Sequence, residues 1–203
     1  MFSKLLAKMD AFCGFVLSRV FNKNVPFDGT AIKFRNWFDV TCLDSKGNVK
    51  WKNRCYNGVT TVGLNGILEV LFKATTPVKP ASGGVCLGLI DSTSYSALAA
   101  GDQMNAHGGW LEATGYSNAL RPTWGAGSGA SGVITNASPA AFTINATQTI
   151  KGIFCVFSDA TITNANGKGG TTGTLFATAL FSGGDQAVVN GDTLNVTYTV
   201  TIS

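Results

Sequence analysis

The densest group of side chains with chemical potential runs from Asp102 to Trp124. It reads Asp102-Gln103-Met104-Asn105-Ala106-His107-Gly108-Gly109-Trp110-Leu111-Glu112, then Tyr116, Arg121 and Trp124. Two carboxylates, a histidine and an arginine among aromatics suggest a binding pocket floored by Trp110 and Trp124. The competing reading is a long connection pinned to the fold, with its rings packed down and Arg121 answering Glu112. Nothing in the cluster requires a ligand, and the second reading is favoured.

Other chemistry fares worse. His107 is the single histidine, and no Cys pair lies near it, so a multi-histidine or Cys/His metal site has no ligand set. The Gly-rich stretches lack the lysine and following helix of a phosphate cradle, and there is no Gly-x-Ser-x-Gly elbow. Eleven acids always allow two to be paired for glycoside hydrolysis, yet nothing singles out a pair. The sequence therefore points away from an enzyme, and no metal or cofactor is expected. Cys13, Cys42, Cys55, Cys86 and Cys155 are odd in number and widely spaced. They read as free thiols made in a reducing cytosol. The Asn-x-Ser/Thr triplets at Asn136, Asn145 and Asn195 are what a Thr-rich β sequence produces by chance.

The elements that carry these residues are mostly strands. Charged residues make up 13% of the 203, about half the usual share, and there are 25 glycines. Such a chain suits an all-β protein with many turns and a surface covered by neighbours. From Ala31 the apolar period is two. Ile32, Phe34, Phe38, Val40 and Cys42 alternate with Lys33, Arg35, Trp37, Asp39 and Thr41. The turn Asp44-Ser45-Lys46-Gly47-Asn48 follows, and Val49, Trp51 and Asn53 then alternate with Lys50, Lys52 and Arg54. This predicts a hairpin with one apolar and one basic face, Val40 beside Trp51 and Asp39 beside Lys52. Lys33, Arg35, Lys50, Lys52 and Arg54 are the candidate basic docking residues.

Further on, Leu64–Phe72 predicts a short helix weakened by Gly63 and Gly66, and residues 75–84 a loop. A buried strand follows over Val85–Ile90, and an irregular helix over Tyr95–His107. Residues 124–132 read as a loop, and strands are expected from Phe142, over Ile150–Phe157 and over Leu175–Phe181. The tight turn Asn190-Gly191-Asp192 leads into the unbroken alternation of Leu194, Val196, Tyr198, Val200 and Ile202. An antiparallel β-sandwich or jelly roll over residues 26–203 is the expected architecture.

Residues 1–25 differ. Phe2, Leu5, Leu6, Met9, Phe12, Cys13, Val16, Leu17, Val20 and Phe21 recur at spacings of three and four, one stripe of an amphipathic helix. Lys8 and Asp10 interrupt the apolar run, which argues against a transmembrane span, and Pro26 stops the helix. The expectation is a helical arm whose Leu5, Met9, Phe12 and Val16 face packs on the β domain or on a partner protein. Self-bundling and a membrane surface are the less favoured alternatives. Charge is also uneven. Residues 1–79 hold twelve of the fifteen basic residues and five of the eleven acids, a surplus of seven; residues 80–203 hold three basic and six acidic, a deficit of three. The first part is the face expected to meet an acidic partner. Its basic residues are spread out rather than blocked, which weighs against nucleic acid.

The order Asp102-x-Met104-x-x-His107-x-Gly109-Trp110-x-Glu112, then Tyr116 and Arg121-Pro122-x-Trp124, resembles a widespread family of tailed-bacteriophage virion structural proteins. The hairpin residues Asp44…Gly47-Asn48-Val49-Lys50-Trp51 match too, as do Val62-Gly63-Leu64-Asn65, Val85–Asp91, Phe142–Thr147, Lys168–Leu175 and Val189–Thr201. The resemblance covers about residues 36–203; the N-terminal arm is not part of it. It implies a virion component made in the bacterial cytoplasm, with capsid or other virion proteins and copies of itself as partners. No catalytic residues come with it. A capsid decoration or cement protein is the leading expectation. A neck or tail subunit (adaptor or fibre attachment) comes second, and a carbohydrate-binding host-attachment module stacking sugars on Trp110 and Trp124 third.

Overall fold

The computed structural model describes residues 34–72, 84–158 and 167–202. The proposed arm, with Leu5, Met9, Phe12 and Val16, lies outside the described residues, as does Lys33 of the basic set. What is described is mainly β, with antiparallel sheets and one short helix.

The expected hairpin forms β1 (Phe34–Leu43) and β2 (Val49–Tyr56). Phe38, Val40 and Cys42 are buried, and the intervening residues are partly exposed, as a period of two requires. The register differs from the expected one by two residues: Cys42 faces Trp51, and Asp39 faces Arg54. A bulge at Cys42/Leu43 lengthens the turn, and Asp44 closes it by accepting from the backbone N–H groups of Lys46 and Asn48 at 2.8 Å. A shift of two keeps each side chain on its face, so only the cross-strand partners change. The hydrogen bonds from Asn48 hold the Asp44 carboxyl below the usual carboxylate range.

The C-terminal alternation forms β11 (Thr193–Ile202), the centre of the first sheet. It pairs with β1 on one side, and on the other with β6 (Val133–Thr135) and β7 (Ala140–Thr143). The second sheet orders β3 (Gly58–Val59), β9 (Thr174–Leu180), β8 (Gln148–Phe157), β4 (Val85–Asp91) and β5 (Glu112–Ala113). A further strand, β10 (Gln186–Val188), pairs with β8. Inward residues of both sheets share one core: Phe38, Val40 and Val196 from the first; Leu87, Leu89, Ile153 and Cys155 from the second.

The second sheet is buried on its outer side as well. Cys86, Ile90, Phe154 and Val156 form a second cluster with Met104 and Trp110 from the 92–111 connection. That double burial is why Val85–Ile90 of β4 and Ile153–Phe157 of β8 read as continuous apolar runs. At Gly88 a β-carbon would strike the Phe154 ring, which lies across the glycine from the opposite register position.

The helix expected over Tyr95–His107 is not there. The segment folds as turns with a two-residue bridge between Gln103 and Ala106. The Asp102 carboxylate takes the Ala99 N–H and the Trp110 indole, so a local side-chain-to-backbone bond replaces a helical one. The expected Leu64–Phe72 helix is present as α1 (Thr61–Phe72). Its Thr60 cap accepts the Gly63 N–H at 3.1 Å. No helix among the described residues is long and apolar enough to cross a membrane.

Candidate interaction surfaces

Of the Asp102–Trp124 residues, Asp102, Met104, His107 and Trp110 come together on the outer side of the second sheet, whereas Trp124 packs separately against the main core, its indole donating to the Tyr198 carbonyl at 2.9 Å. Trp110 is 1% exposed; its indole donates to Asp102 Oδ2 at 3.0 Å, and its ring tilts on Phe154. His107 stacks on the same indole at 3.9 Å, with Nδ1 3.1 Å from the Trp110 carbonyl oxygen. Trp110 therefore presents no stacking face to a sugar, which weighs against the third-ranked Trp110–Trp124 platform and agrees with the favoured reading of a pinned connection.

Next to it lies a buried ion pair. Arg121 Nη2 and Nε reach the two Glu112 carboxylate oxygens at 2.6 and 3.0 Å. The two side chains are 0% and 5% exposed. Glu112 also accepts from the Tyr116 hydroxyl and the Gly169 N–H, and Arg121 donates to the Gly170 carbonyl. Lys168 donates to the Tyr116 carbonyl at 2.8 Å and lies over its ring. Burial and the Glu112 charge push the Tyr116 phenol far up. The sequence motifs around 112–124 and 168–175 thus meet in one network. A Gly/Thr loop gave no sign of this, because Gly169 and Gly170 contribute only backbone groups. Chemically, the network holds a long connection against the sheet.

The basic hairpin face is less basic than its sequence. Arg54 Nε and Nη2 bind the two Asp39 oxygens at 2.6 and 2.9 Å, and this pairing raises the guanidinium pKa. Lys50 turns to Asp192, 2.5 Å away and 2% exposed, whose carboxylate also accepts the Val189 N–H. Asp192 raises the Lys50 pKa through this bond. Burial, reinforced by Asp192, pushes the Cys42 thiol up to about 11. Only Arg35 and Lys52 of the described basic set stand exposed with no ion pair among the described residues. The Lys50–Asp192 contact was not visible in the sequence: 142 residues separate the partners.

A third feature was missed. At one end of the two sheets, a groove of about 580 Å³ opens between α1 and the inner faces of β1 and β11. Phe34, Trp124, Ile134, Phe176, Tyr198 and Val200 line it, with Val62, Ile67 and Val70 on the helix side. The outer stripe of α1 is also apolar: Leu64, Leu68 and Phe72, spaced by four, are 44%, 55% and 80% exposed. Such a helix, apolar on both sides, is normally buried. The signal was present in the run of leucines, but helical periodicity alone does not say which side lacks a cover.

Among the described residues, no group of three His, Cys, Asp or Glu side chains is placed to hold a metal ion. Cys42, Cys55, Cys86 and Cys155 are buried thiols, none in a disulfide; Cys13 is outside the described residues. No protein-family model matches this chain, and no curated protein matches it either.

Proposed function

We propose that this chain is a structural subunit of a bacteriophage particle, a capsid decoration or cement protein rather than an enzyme. The observation that carries the reading is the exposed apolar surface of α1 and the groove beside it. Val70 and Ile202 on the groove wall, and Leu64, Leu68 and Phe72 on the outer stripe of α1, are all more than two-fifths exposed. A subunit that is covered on assembly can keep such a surface; a free monomer keeps it at the cost of solubility. The resemblance over residues 36–203 supplies the particle, and the inward-turned polar network fits a scaffold. On this reading the two sheets form a jelly-roll-like sandwich, the first 25 residues a helical arm, and Arg35 and Lys52 contribute modest steering toward an acidic lattice surface. Capsid protein is the partner, and nucleic acid and membrane are not.

Co-sedimentation tests the proposal. Particles assembled without this chain should bind the purified full-length protein saturably, at a stoichiometry comparable with the major capsid protein. Binding confined to a few sites would place it at the neck or tail. No binding to any particle or precursor would remove the structural reading.

A further inference from the structure

The two sheets differ on their outer sides. The second is covered by the 92–111 connection, whereas the outward residues of β2, β1 and β11 in the first are exposed or half-buried, Thr199 excepted. Register fixes what stands there. Tyr56, Trp37 and Thr199 form one cross-strand row, and Arg54, Asp39 and Thr197 the next. Lys52, Thr41 and Asn195 form a third, and Arg35 stands beyond Trp37, beside Thr201. None of these positions carries an aliphatic side chain. A protein interface normally has an apolar centre, so this face is built for a different kind of partner from the surface around α1.

Four of its side chains are locked together. Asp39 accepts from Arg54 Nε and Nη2 at 2.6 and 2.9 Å and from the Trp37 indole at 3.1 Å. Arg54 lies over the Trp37 ring, 5.4 Å from its centre, and bonds the Tyr56 hydroxyl. Exposed pairs add little to stability, so this order does little for the fold, but it presets a binding surface. Tyr56 stays 72% exposed, a free aromatic face. Beside it is a shallow hollow of about 340 Å³, with Asp39, Thr41, Lys52 and Arg54 among its walls. Lys52 is exposed there with no ion pair among the described residues, while the one carboxylate, Asp39, is already answered by Arg54.

A sugar acid matches each part. A pyranose ring has an apolar C–H face that stacks on an aromatic ring, and a rim of hydroxyls that both donate and accept. Arg54 and Thr41 offer hydrogen-bonding groups to that rim, and the unpaired cations Lys52 and Arg35 attract a carboxylate. We propose that the outer face of the first sheet binds an acidic polysaccharide, with a uronate ring in the hollow, its carboxylate on Lys52, and a linked ring stacked on Tyr56. Lys52 and Tyr56 lie about 13 Å apart along β2, room for a short run of linked rings. The inference goes beyond the virion reading and does not rest on it. Steering toward a lattice acts through the field and needs no contact, so it leaves this face free.

Calorimetric titration of the full-length protein with hyaluronan and alginate, both uronate polymers, tests it. Binding should saturate, and dextran, poly-glutamate and oligothymidylate should each bind at least about tenfold more weakly. Tyr56→Ala and Lys52→Ala should each weaken uronate binding about tenfold, with Tyr56→Phe close to wild type. Lys46→Ala removes the same charge from the exposed turn outside the hollow and should change little. Far-UV circular dichroism checks that each variant is folded, and the two alanine variants guard against a defect in either one. Poly-glutamate bound as tightly as hyaluronan would make the face a plain charge patch and overturn the proposal. So would a preference for oligothymidylate, dextran bound as tightly as the uronates, or uronate binding that survives both alanine variants. No binding to either uronate polymer overturns it outright. The assay uses no particles, so its failure leaves the virion reading standing. Absence of the chain from particles would leave a positive titration standing.

Discussion

Arg121–Glu112 and Arg54–Asp39 are the same interaction in two settings. Both are bidentate, with oxygens 2.6–3.0 Å from the guanidinium nitrogens. The first is almost sealed from water; the second has half-exposed partners, 54% and 38%. A charge removed from water has no fallback if its partner is deleted, whereas an exposed one is rehydrated. Geometry alone therefore does not tell which pair matters; burial decides. The same contrast separates the two sequence features richest in polar residues: one became framework, the other surface.

The largest expected effect is at the sealed pair. Arg121→Met should cost about 3–5 kcal/mol of unfolding free energy, because Glu112 is left charged and buried. Adding Glu112→Gln should restore part of it, since a neutral amide oxygen still accepts from Gly169 and Tyr116. Urea denaturation of the single and double variants checks both. If the single variant is as stable as wild type, the network does not clamp the connection to the sheet.

Next comes the sheet beneath that network. Gly88→Ala should cost about 1–3 kcal/mol by overpacking against Phe154. The displaced Phe154 should disturb Trp110, so the near-UV circular dichroism should change while the far-UV spectrum holds.

Thiol ionisation gives a smaller, pH-dependent effect. Burial holds Cys42 at about 11 and Cys55 at about 12, against 9.0 for an ordinary thiol. Raised folded values mean the unfolded chain ionises first. Stability from these thiols is intact below about pH 9 and falls as the pH climbs toward 11 and 12. Cys55→Ala should flatten that alkaline decline, measured by denaturant midpoints across the range. At neutral pH an alkylating reagent should leave Cys42, Cys55, Cys86 and Cys155 unmodified until the protein unfolds, after which five thiols should be counted.

The exposed pair should barely register. Arg54→Ala is expected to leave the unfolding midpoint unchanged. Arg35→Glu with Lys52→Glu should slow docking to particles and flatten its salt dependence, with the fold intact. Lys50 is unsuitable for that test, because reversing it would set a carboxylate against buried Asp192.

Strand positions were legible where one rule governed them. β11 alternates without error, and β8 is apolar from Ile153 to Phe157, where both its faces are covered. Long-range partners were not: Lys50–Asp192 and Glu112–Gly169 depend on which strands become neighbours, and a glycine loop shows nothing of its backbone donors. The Tyr95–His107 segment misled because its apolar spacing permits a helix, while Asp102 and the glycines around Trp110 favour turns. The short strands β3, β5, β6 and β10 fell below the length at which periodicity is readable. Of the candidate surfaces, the basic face was legible in residue type and overstated in net charge. The groove emerged only once α1 had been placed.

The central claim, a subunit repeated across a phage capsid, is tested most directly by imaging the particle at a resolution that traces side chains. The account predicts density for β1–β11 at every equivalent lattice position. Particles whose lattice carries no such density, or that lack the chain altogether, would contradict it.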